Sequence, residues 1–310
     1  MRVVVTGGAG FIGANVCAEL IRRGVDEVVA VDDLSSGFES NLDGLEVDLR
    51  IGSILDPELL GKAFAGADSV IHLAARPSVP RSLLDPIASH EANATGTLLV
   101  LEAAREVNAH VAVASSSSVY GRNPELPKTE ELMCMPVSPY AVSKLAAESY
   151  ALAYQSSFAM TTLPFRFFNV YGPLQAPNHA YAAVVPAFVW AALHGQPLIV
   201  HGDGEQTRDF TFVDSVSGVL TDAALNKTGS DRPVNLAFGT RTSLNEVIAL
   251  LSGIFGRELD VEYVQPRAGD VRDSQASNSR LRALFPGQEP LPLETGLRRT
   301  VEWMRSTLPA

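Results

Sequence analysis

The sequence predicts an α/β protein, a doubly wound parallel sheet followed by a smaller C-terminal lobe, and three observations carry that expectation. Through the first half of the chain short β-branched runs alternate with apolar patterns of helical period, the rhythm of β-α-β units. A glycine-rich turn, Thr6-Gly7-Gly8-Ala9-Gly10-Phe11-Ile12-Gly13, joins the first run to the first helical pattern. After Gly172-Pro173 the rhythm loosens into a Pro- and Asn-containing loop and shorter elements. The expected units are residues 1–172, completed by returning segments near 209–240, and residues 173–310; a chain of 310 residues accommodates both.

The elements follow in order. Strands are expected at Val3 to Val5, Val28 to Val31, Leu45 to Leu49, Ser69 to Leu73, Val111 to Ala114 and Thr161 to Phe165. Val16, Leu20 and Ile21 make one stripe on the first helix, and Leu98, Val100, Leu101 and Ala104 make one on a helix from about Ser89 to Val107. A further helix starts at Pro139 and runs to about Ser157, and another spans about Val184 to Leu193. The serine run Ser115 to Ser118 follows the fifth strand rather than lying in a linker.

Composition narrows the function. Hydrophobic residues make up 46% of the chain and charged residues 19%, the balance of a folded globular protein. The net charge of −11 argues against broad capture of nucleic acid or anionic membrane, so an anionic ligand must be met by local groups. Cys17 and Cys134 have no CxxC spacing and the histidines no metal-ligand spacing, so neither a disulfide framework nor a metal site is expected. The N-terminus enters a strand without a secretory apolar region, and the longest apolar stretch, Tyr181 to Leu193, contains Pro186. The expected setting is cytoplasmic.

Glycines between a strand and a helix let the backbone approach a diphosphate, and the helix start offers free N–H groups and a positive dipole end. At the end of the second strand come Asp32 and Asp33. A carboxylate there accepts hydrogen bonds from ribose hydroxyls and repels a 2′-phosphate, so NAD is expected rather than NADP. Farther on, Tyr140 and Lys144 lie one helical turn apart on one face. A free phenol is a poor base at neutral pH, but a neighbouring ammonium and an oxidised nicotinamide favour the phenolate. A hydroxyl from the serine run can bond both the tyrosine and a reacting sugar hydroxyl. Arg208 and Arg267 offer paired donors to a phosphate in a chain of adverse net charge.

On these residues the sequence resembles the extended short-chain dehydrogenase/reductase family, and within it the nucleotide-sugar 4-epimerases of the UDP-galactose 4-epimerase type. The resemblance covers essentially the whole chain through TGGAGFIG at 6–13, VDDLSSG at 31–37, HLAA at 72–75, NATGT at 93–97, SSSSVYG at 115–121, SPYAVSK at 138–144, RFFNVYGP at 166–173, GDGEQTRDF at 202–210 and RAGDVR at 267–272. It implies a Rossmann-type sheet with NAD as cofactor and a UDP-sugar as substrate. Gly7, Gly10, Phe11, Ile12, Gly13, Asp32, Asp33, Ser36 and Gly37 would hold the adenosine and diphosphate half of NAD. Ser53 and Ile54 would lie at the adenine, Ser53 standing where many relatives have an aspartate, and Leu73, Ala74 and Ala75 would line the cleft. Ser116 matches the catalytic serine, Tyr140 the base, and Lys144 the residue that binds the nicotinamide ribose. Asn169, Arg208, Arg267 and Asp270 match positions that hold UDP. His201 falls near the expected uridine. Ser274 matches a residue bordering the sugar pocket, and the run from Ser78 to Ser82 resembles that of N-acetylhexosamine epimerases.

The family's shared chemistry begins with hydride removal from sugar C4 as the tyrosine takes the hydroxyl proton. Its dehydratases carry acidic residues directly after the catalytic hydroxyl, and its decarboxylases commonly a glutamate in the same stretch; here those places are Ser117 and Ser118. The resemblance therefore implies 4-epimerisation of plain or N-acetylated UDP-hexoses. UDP-glucuronate 4-epimerisation is the alternative, followed by other nucleotide-sugar dehydratase or decarboxylase chemistry and a non-catalytic NAD-binding sensor. A homodimer is also implied, paired through the helices at about Ser89 to Val107 and Pro139 to Ser157, the latter offering Ala146, Ala147, Tyr150, Ala151 and Tyr154.

Overall fold

The computed structural model describes residues 1–177, 183–266 and 272–307. The first part of the chain runs β1 (Arg2–Thr6), α1 (Phe11–Arg22), β2 (Glu27–Asp32), β3 (Asp48–Ile51), α2 (Pro57–Phe64) and β4 (Ser69–His72). It continues through α3 (Val79–Leu84), α4 (Pro86–His90), α5 (Gly96–Glu106), β5 (His110–Ser116), α6 (Pro139–Phe158), β6 (Thr162–Phe167) and β7 (Val170–Tyr171). Then come α7 (Val184–Leu193), β8 (Leu198–His201), β9 (Thr207–Arg208), β10 (Thr211–Phe212), α8 (Val213–Leu225) and β11 (Val234–Leu236). The last elements are β12 (Thr242–Ser243), α9 (Leu244–Phe255), β13 (Val261–Val264), α10 (Ser279–Leu284) and α11 (Leu293–Thr307).

Period-two alternation builds a sheet with two buried faces. Val3 and Val5 join α1 and α8 in one core, whereas Val4 and Val70 join α2, α5 and α6 in the other. Seven strands pair in the order β11-β6-β5-β4-β1-β2-β3, all parallel. β11 and α8 return from late in the sequence to complete this sheet and one of its cores. A third core, with Val185, Phe188, Leu198, Leu251 and Val301, gathers α7, β8, α9 and α11 beside it.

Two expectations shift. The third strand is Asp48–Ile51 rather than Leu45 to Leu49, since Leu45 and Val47 pack against the core ahead of the edge strand, whose own residues are half exposed. The helix expected from Ser89 to Val107 is divided: α4 ends at His90, a π-helical turn covers Glu91–Thr95, and α5 follows. Asn93 inside that turn is buried, and its amide donates to the Arg76 carbonyl at 3.2 Å and to Ser143 Oγ at 2.9 Å, bonds that favour the local widening.

Candidate active site

The strand order reverses between β1 and β4, and in sheets of this kind the crevice beyond the carboxyl ends of such strands takes the ligand. Gly7 follows β1 at φ +72°, where a Cβ would come within 2.7 Å of the Ala74 nitrogen. The glycine turn thus lies directly against the backbone of Leu73 and Ala74, with Ala75 next in the chain. A Cβ on Gly13 would lie 2.0 Å from the Gly7 carbonyl oxygen, so α1 starts hard against the turn. A Cβ on Gly37 would lie 2.8 Å from the Ala9 carbonyl, so this glycine too lies close against the turn. Gly10 is the N-cap of α1, and the N–H groups of Phe11, Ile12 and Gly13 open its first turn without intrahelical acceptors. The side chains of Phe11 and Ile12 themselves pack against the cores.

Asp32 is buried at 8% exposure and accepts from the Ala9 N–H and the Leu34 N–H, each at 2.9 Å. Burial raises its pKa, while these backbone donors pull it down. It therefore braces the glycine loop, and the neighbouring Asp33 is exposed, accepting from the Ser35 N–H at 2.9 Å. Ser36 is exposed beside it. Ser53 Oγ accepts from the Leu55 N–H at 3.1 Å, and Ile54 is buried against Gly96. The residues present fit a dinucleotide: a cradle that a Cβ would fill, helix-start N–H groups for the diphosphate, and carboxylates at the end of β2.

At the mouth of β5 the serine run divides by direction. Ser115 turns inward and donates to Glu148 Oε2 at 2.8 Å, whereas Ser116 faces the Tyr140 phenol. Burial raises the Tyr140 pKa, and the Ser116 hydroxyl opposes that rise. One turn along α6, Lys144 is 6% exposed, donates from Nζ to the Ala114 carbonyl at 2.8 Å, and is pushed down to about 8 by burial. Behind it His72 is driven to about 3 by burial and is neutral. Thr97 gives its hydrogen to the Asn93 carbonyl, so the network assigns the His72 hydrogen to Nε2, with Nδ1 accepting from Thr6 Oγ1 at 2.7 Å.

A cleft of ≈ 260 Å³ beside the third core is lined by Asn169 and Arg208, with His201, Gln206, Phe210 and Phe188. Arg208 is oriented by donation from Nη1 to the Thr207 carbonyl at 2.9 Å and the Arg272 carbonyl at 3.0 Å. Ser274 donates its N–H to the Thr207 carbonyl at 3.1 Å and is not among the residues lining that cleft. Ser78 has φ +97° and caps α3 by accepting from the Arg81 N–H at 3.3 Å. Arg267 and Asp270 lie outside the described residues.

Residues 3–237 match the profile of the NAD dependent epimerase/dehydratase family. The chain belongs to this family. It is 37% identical to the UDP-glucose 4-epimerase of Mycolicibacterium smegmatis, with 99% of each chain covered. It superposes with a TM-score of 0.93 and 35% identity on a UDP-N-acetylglucosamine 4-epimerase from Methanobrevibacter ruminantium bound to UDP-N-acetylmuramic acid, covering 99% of both chains. A UDP-glucose 4-epimerase from Thermotoga maritima, holding UDP-glucose, gives a TM-score of 0.92 and 35% identity over the full length of both.

As a member of the epimerase/dehydratase family, the chain carries buried or bonded polar groups, Ser118, Arg166 and Asp209 inside the motifs and Glu148 outside them, whose ties the motifs alone do not assign. Ser118 donates to Ser116 from both its N–H and its hydroxyl, at 3.2 Å and 2.9 Å. Glu148 and Arg166 form a buried pair through two bonds of 2.9 Å and 2.6 Å, each side chain 4% exposed, with the guanidinium over the Tyr120 ring. Asp209, next to Arg208, is fully buried and accepts from the Gly239 N–H, the Ala276 N–H and the Thr240 hydroxyl. Glu148 lies one turn beyond Lys144 on the same helix, which is the sequence signal that was available for it.

Proposed function

We propose that the protein is an NAD-dependent 4-epimerase of UDP-hexoses, acting on UDP-glucose and UDP-galactose and on their N-acetylated counterparts through a transient 4-keto sugar. The observation that carries this reading is the grouping of Ser116, Tyr140 and Lys144 at the crevice mouth, with Ser117 and Ser118 where elimination chemistry needs an acid and a base. Bound NAD would supply a hydride acceptor that later returns the hydride. The chain's own part is to set the proton chemistry. Lys144 is anchored by the Ala114 carbonyl and favours the Tyr140 phenolate, which takes the proton from the sugar hydroxyl, while Ser116 donates toward the phenol. Asn169 and Arg208 would hold the nucleotide half, and Arg267 and Asp270 are proposed to join them.

UDP-glucuronate 4-epimerisation is the second reading, favoured by hydroxyls beside the catalytic serine that could bond a C6 carboxylate. The Ser118 hydrogen is already directed to Ser116, which weighs against it. Incubation with UDP-galactose, UDP-N-acetylgalactosamine and UDP-galacturonate, read by NMR, separates the two. The C4-epimeric product from the first two supports the proposal, turnover of the uronate alone supports the second reading, and a 4-keto-6-deoxy product overturns both. An epimerase consumes no net reducing equivalents, so purified protein is expected to retain NAD.

We also propose that residues 1–172 with 209–240 form the NAD-binding unit and the remainder of 173–310 the UDP-sugar lobe, a division supported by the third core, which draws mainly on α7, β8, α9 and α11 and is joined by Tyr171, Phe210, Phe212 and Val213. The two free cysteines, Cys17 and Cys134, fit a cytoplasmic setting. For the homodimer, the supporting residues overlap only in part with those read in the sequence, Tyr150 being shared. Ala147, Ala151 and Tyr154 are buried within the chain, whereas Val142 and Tyr150 on α6 and Leu83, Leu84 and Ile87 around α3 and α4 are exposed.

A further inference from the structure

Ser116 Oγ has one hydrogen to give and two lone pairs with which to accept. Ser118, two residues on in the 3-10 turn that ends β5, addresses that oxygen twice, with its N–H at 3.2 Å and its hydroxyl at 2.9 Å. Both acceptor positions of Ser116 are then filled. Its remaining capacity is the hydrogen, and the turn it caps packs against α6, whose Tyr140 phenol feels the Ser116 hydroxyl.

We propose that Ser118 is a positioning residue that makes Ser116 an obligate donor, so that the sugar hydroxyl passes its proton straight to Tyr140 instead of relaying it through the serine. The inference rests on the epimerase reading. A relay needs Ser116 to accept a proton from the sugar while releasing its own to Tyr140. With both lone pairs occupied, that first step has no acceptor. In the direct path the O4–H bond breaks with its proton going to the Tyr140 oxygen, and the C4–H pair leaves as hydride for the oxidised cofactor, giving a ketone and a neutral phenol. Ser116 contributes one hydrogen bond to the phenolate, strengthened because two incoming bonds polarise its O–H.

Among the described residues, the charged groups on the elements packed around Tyr140 and Lys144 include the Glu148–Arg166 pair, whose members hold each other one turn beyond Lys144. Lys144 lies one turn along α6 and is anchored to β5. His72 on β4 is neutral, and Arg76 on the loop after β4 pairs with Asp85 at 3.4 Å. From the end of β5 the groups presented are hydroxyls. The ionisation of Tyr140 is therefore sensitive to how strongly Ser116 donates.

The test is a spectroscopic titration of tyrosinate absorption in the NAD-bound protein, taken as the difference from Tyr140→Phe, for wild type, Ser118→Ala and Ser118→Thr. Ser118→Ala is expected to raise the apparent pKa of Tyr140 by about half a unit or more, the scale of one weakened hydrogen bond. Ser118→Thr, which restores the hydroxyl, should return it. An unchanged titration in Ser118→Ala, or a threonine variant shifted as far as the alanine one, overturns the proposal. This readout needs no turnover, so absence of epimerisation in wild type would remove the functional reading, and the proton path with it, while the titration still decides whether Ser118 acts on Tyr140 through Ser116. Turnover of Ser116→Ala then decides the proton path: measurable activity well above that of Tyr140→Phe supports direct transfer, and a loss as deep as that variant's means the serine carries the proton.

Discussion

At the level of single residues, the proposed chemistry depends on the Tyr140 phenol, which burial makes harder to ionise and the Ser116 hydroxyl makes easier. Tyr140→Phe keeps the ring's packing and deletes the acceptor, so turnover should fall by about two orders of magnitude or more while NAD binding, followed by cofactor retention, is kept. Activity near wild type would exclude Tyr140 as the base. Sugar size is a separate residue-level question. Ser274 does not line the ≈ 260 Å³ cleft, but the resemblance would place it at the sugar; on that reading Ser274→Tyr should depress UDP-N-acetylglucosamine turnover while sparing UDP-galactose, and equal kcat/KM losses on both would show that it does not gate the sugar. The residues legible from sequence were those whose spacing is local: the glycines of the first turn, the pair of aspartates, and Tyr140 with Lys144. Ser115 and Ser118 were not separable there, because adjacent serines in a run differ only in direction, and direction is set by Glu148 and by the turn at Ser117–Tyr120.

Elements are held in register by buried polar ties that leave no periodic trace. Glu148 on α6 binds Arg166 on β6 and Ser115 on β5, locking the helix of Tyr140 and Lys144 against two strands. Removing one partner strands the other's charge in the interior, so Glu148→Ala should lower stability by about 3–5 kcal/mol, measured by urea unfolding. Replacing both members with apolar residues of similar volume should cost less. Asp209 ties the β9–β10 connection to the turn at Gly239 and to Ala276. Burial raises its pKa to about 6, above the ordinary 3.8. The folded protein thus binds this proton more tightly than the unfolded chain. The stability it contributes is fully present below 3.8 and is lost as pH rises through 6, by about 3 kcal/mol. Asp209→Asn should flatten that part of the stability profile, and a variant with the wild-type slope between pH 4 and 6 would contradict the assignment. The sheet itself was readable, since β-branched runs and helical stripes repeat on the page. The third strand was misplaced because Leu45 and Val47 are apolar for packing rather than pairing, and the π-helical turn was invisible because its cause is the long-range bond from Asn93 to Ser143.

For the whole molecule, several of the most exposed apolar side chains lie on neighbouring helices. Leu83 and Leu84 are 65% and 76% exposed and Ile87 70%, on helices α3 and α4 that pack against α6, where Val142 is 52% exposed. A patch of this kind is what a two-fold interface covers, because the same surface on a second copy is self-complementary by symmetry. The chain's net charge of −11 opposes association at long range, and the opposition is screened by salt, so association should strengthen as ionic strength rises. The patch also bears on the site, since α3 begins directly after Ser78 and α6 carries Tyr140 and Lys144. A second copy would hold these helices from outside, as Glu148 and Arg166 hold α6 from within. Light scattering at micromolar concentration should return twice the chain mass. Ile87→Glu places a carboxylate in the middle of the patch, so it should yield a monomer with unchanged far-ultraviolet circular dichroism and reduced kcat. A wild-type protein that is monomeric across salt concentrations would sink the dimer, and a monomeric variant with full kcat would show that pairing does not brace the site.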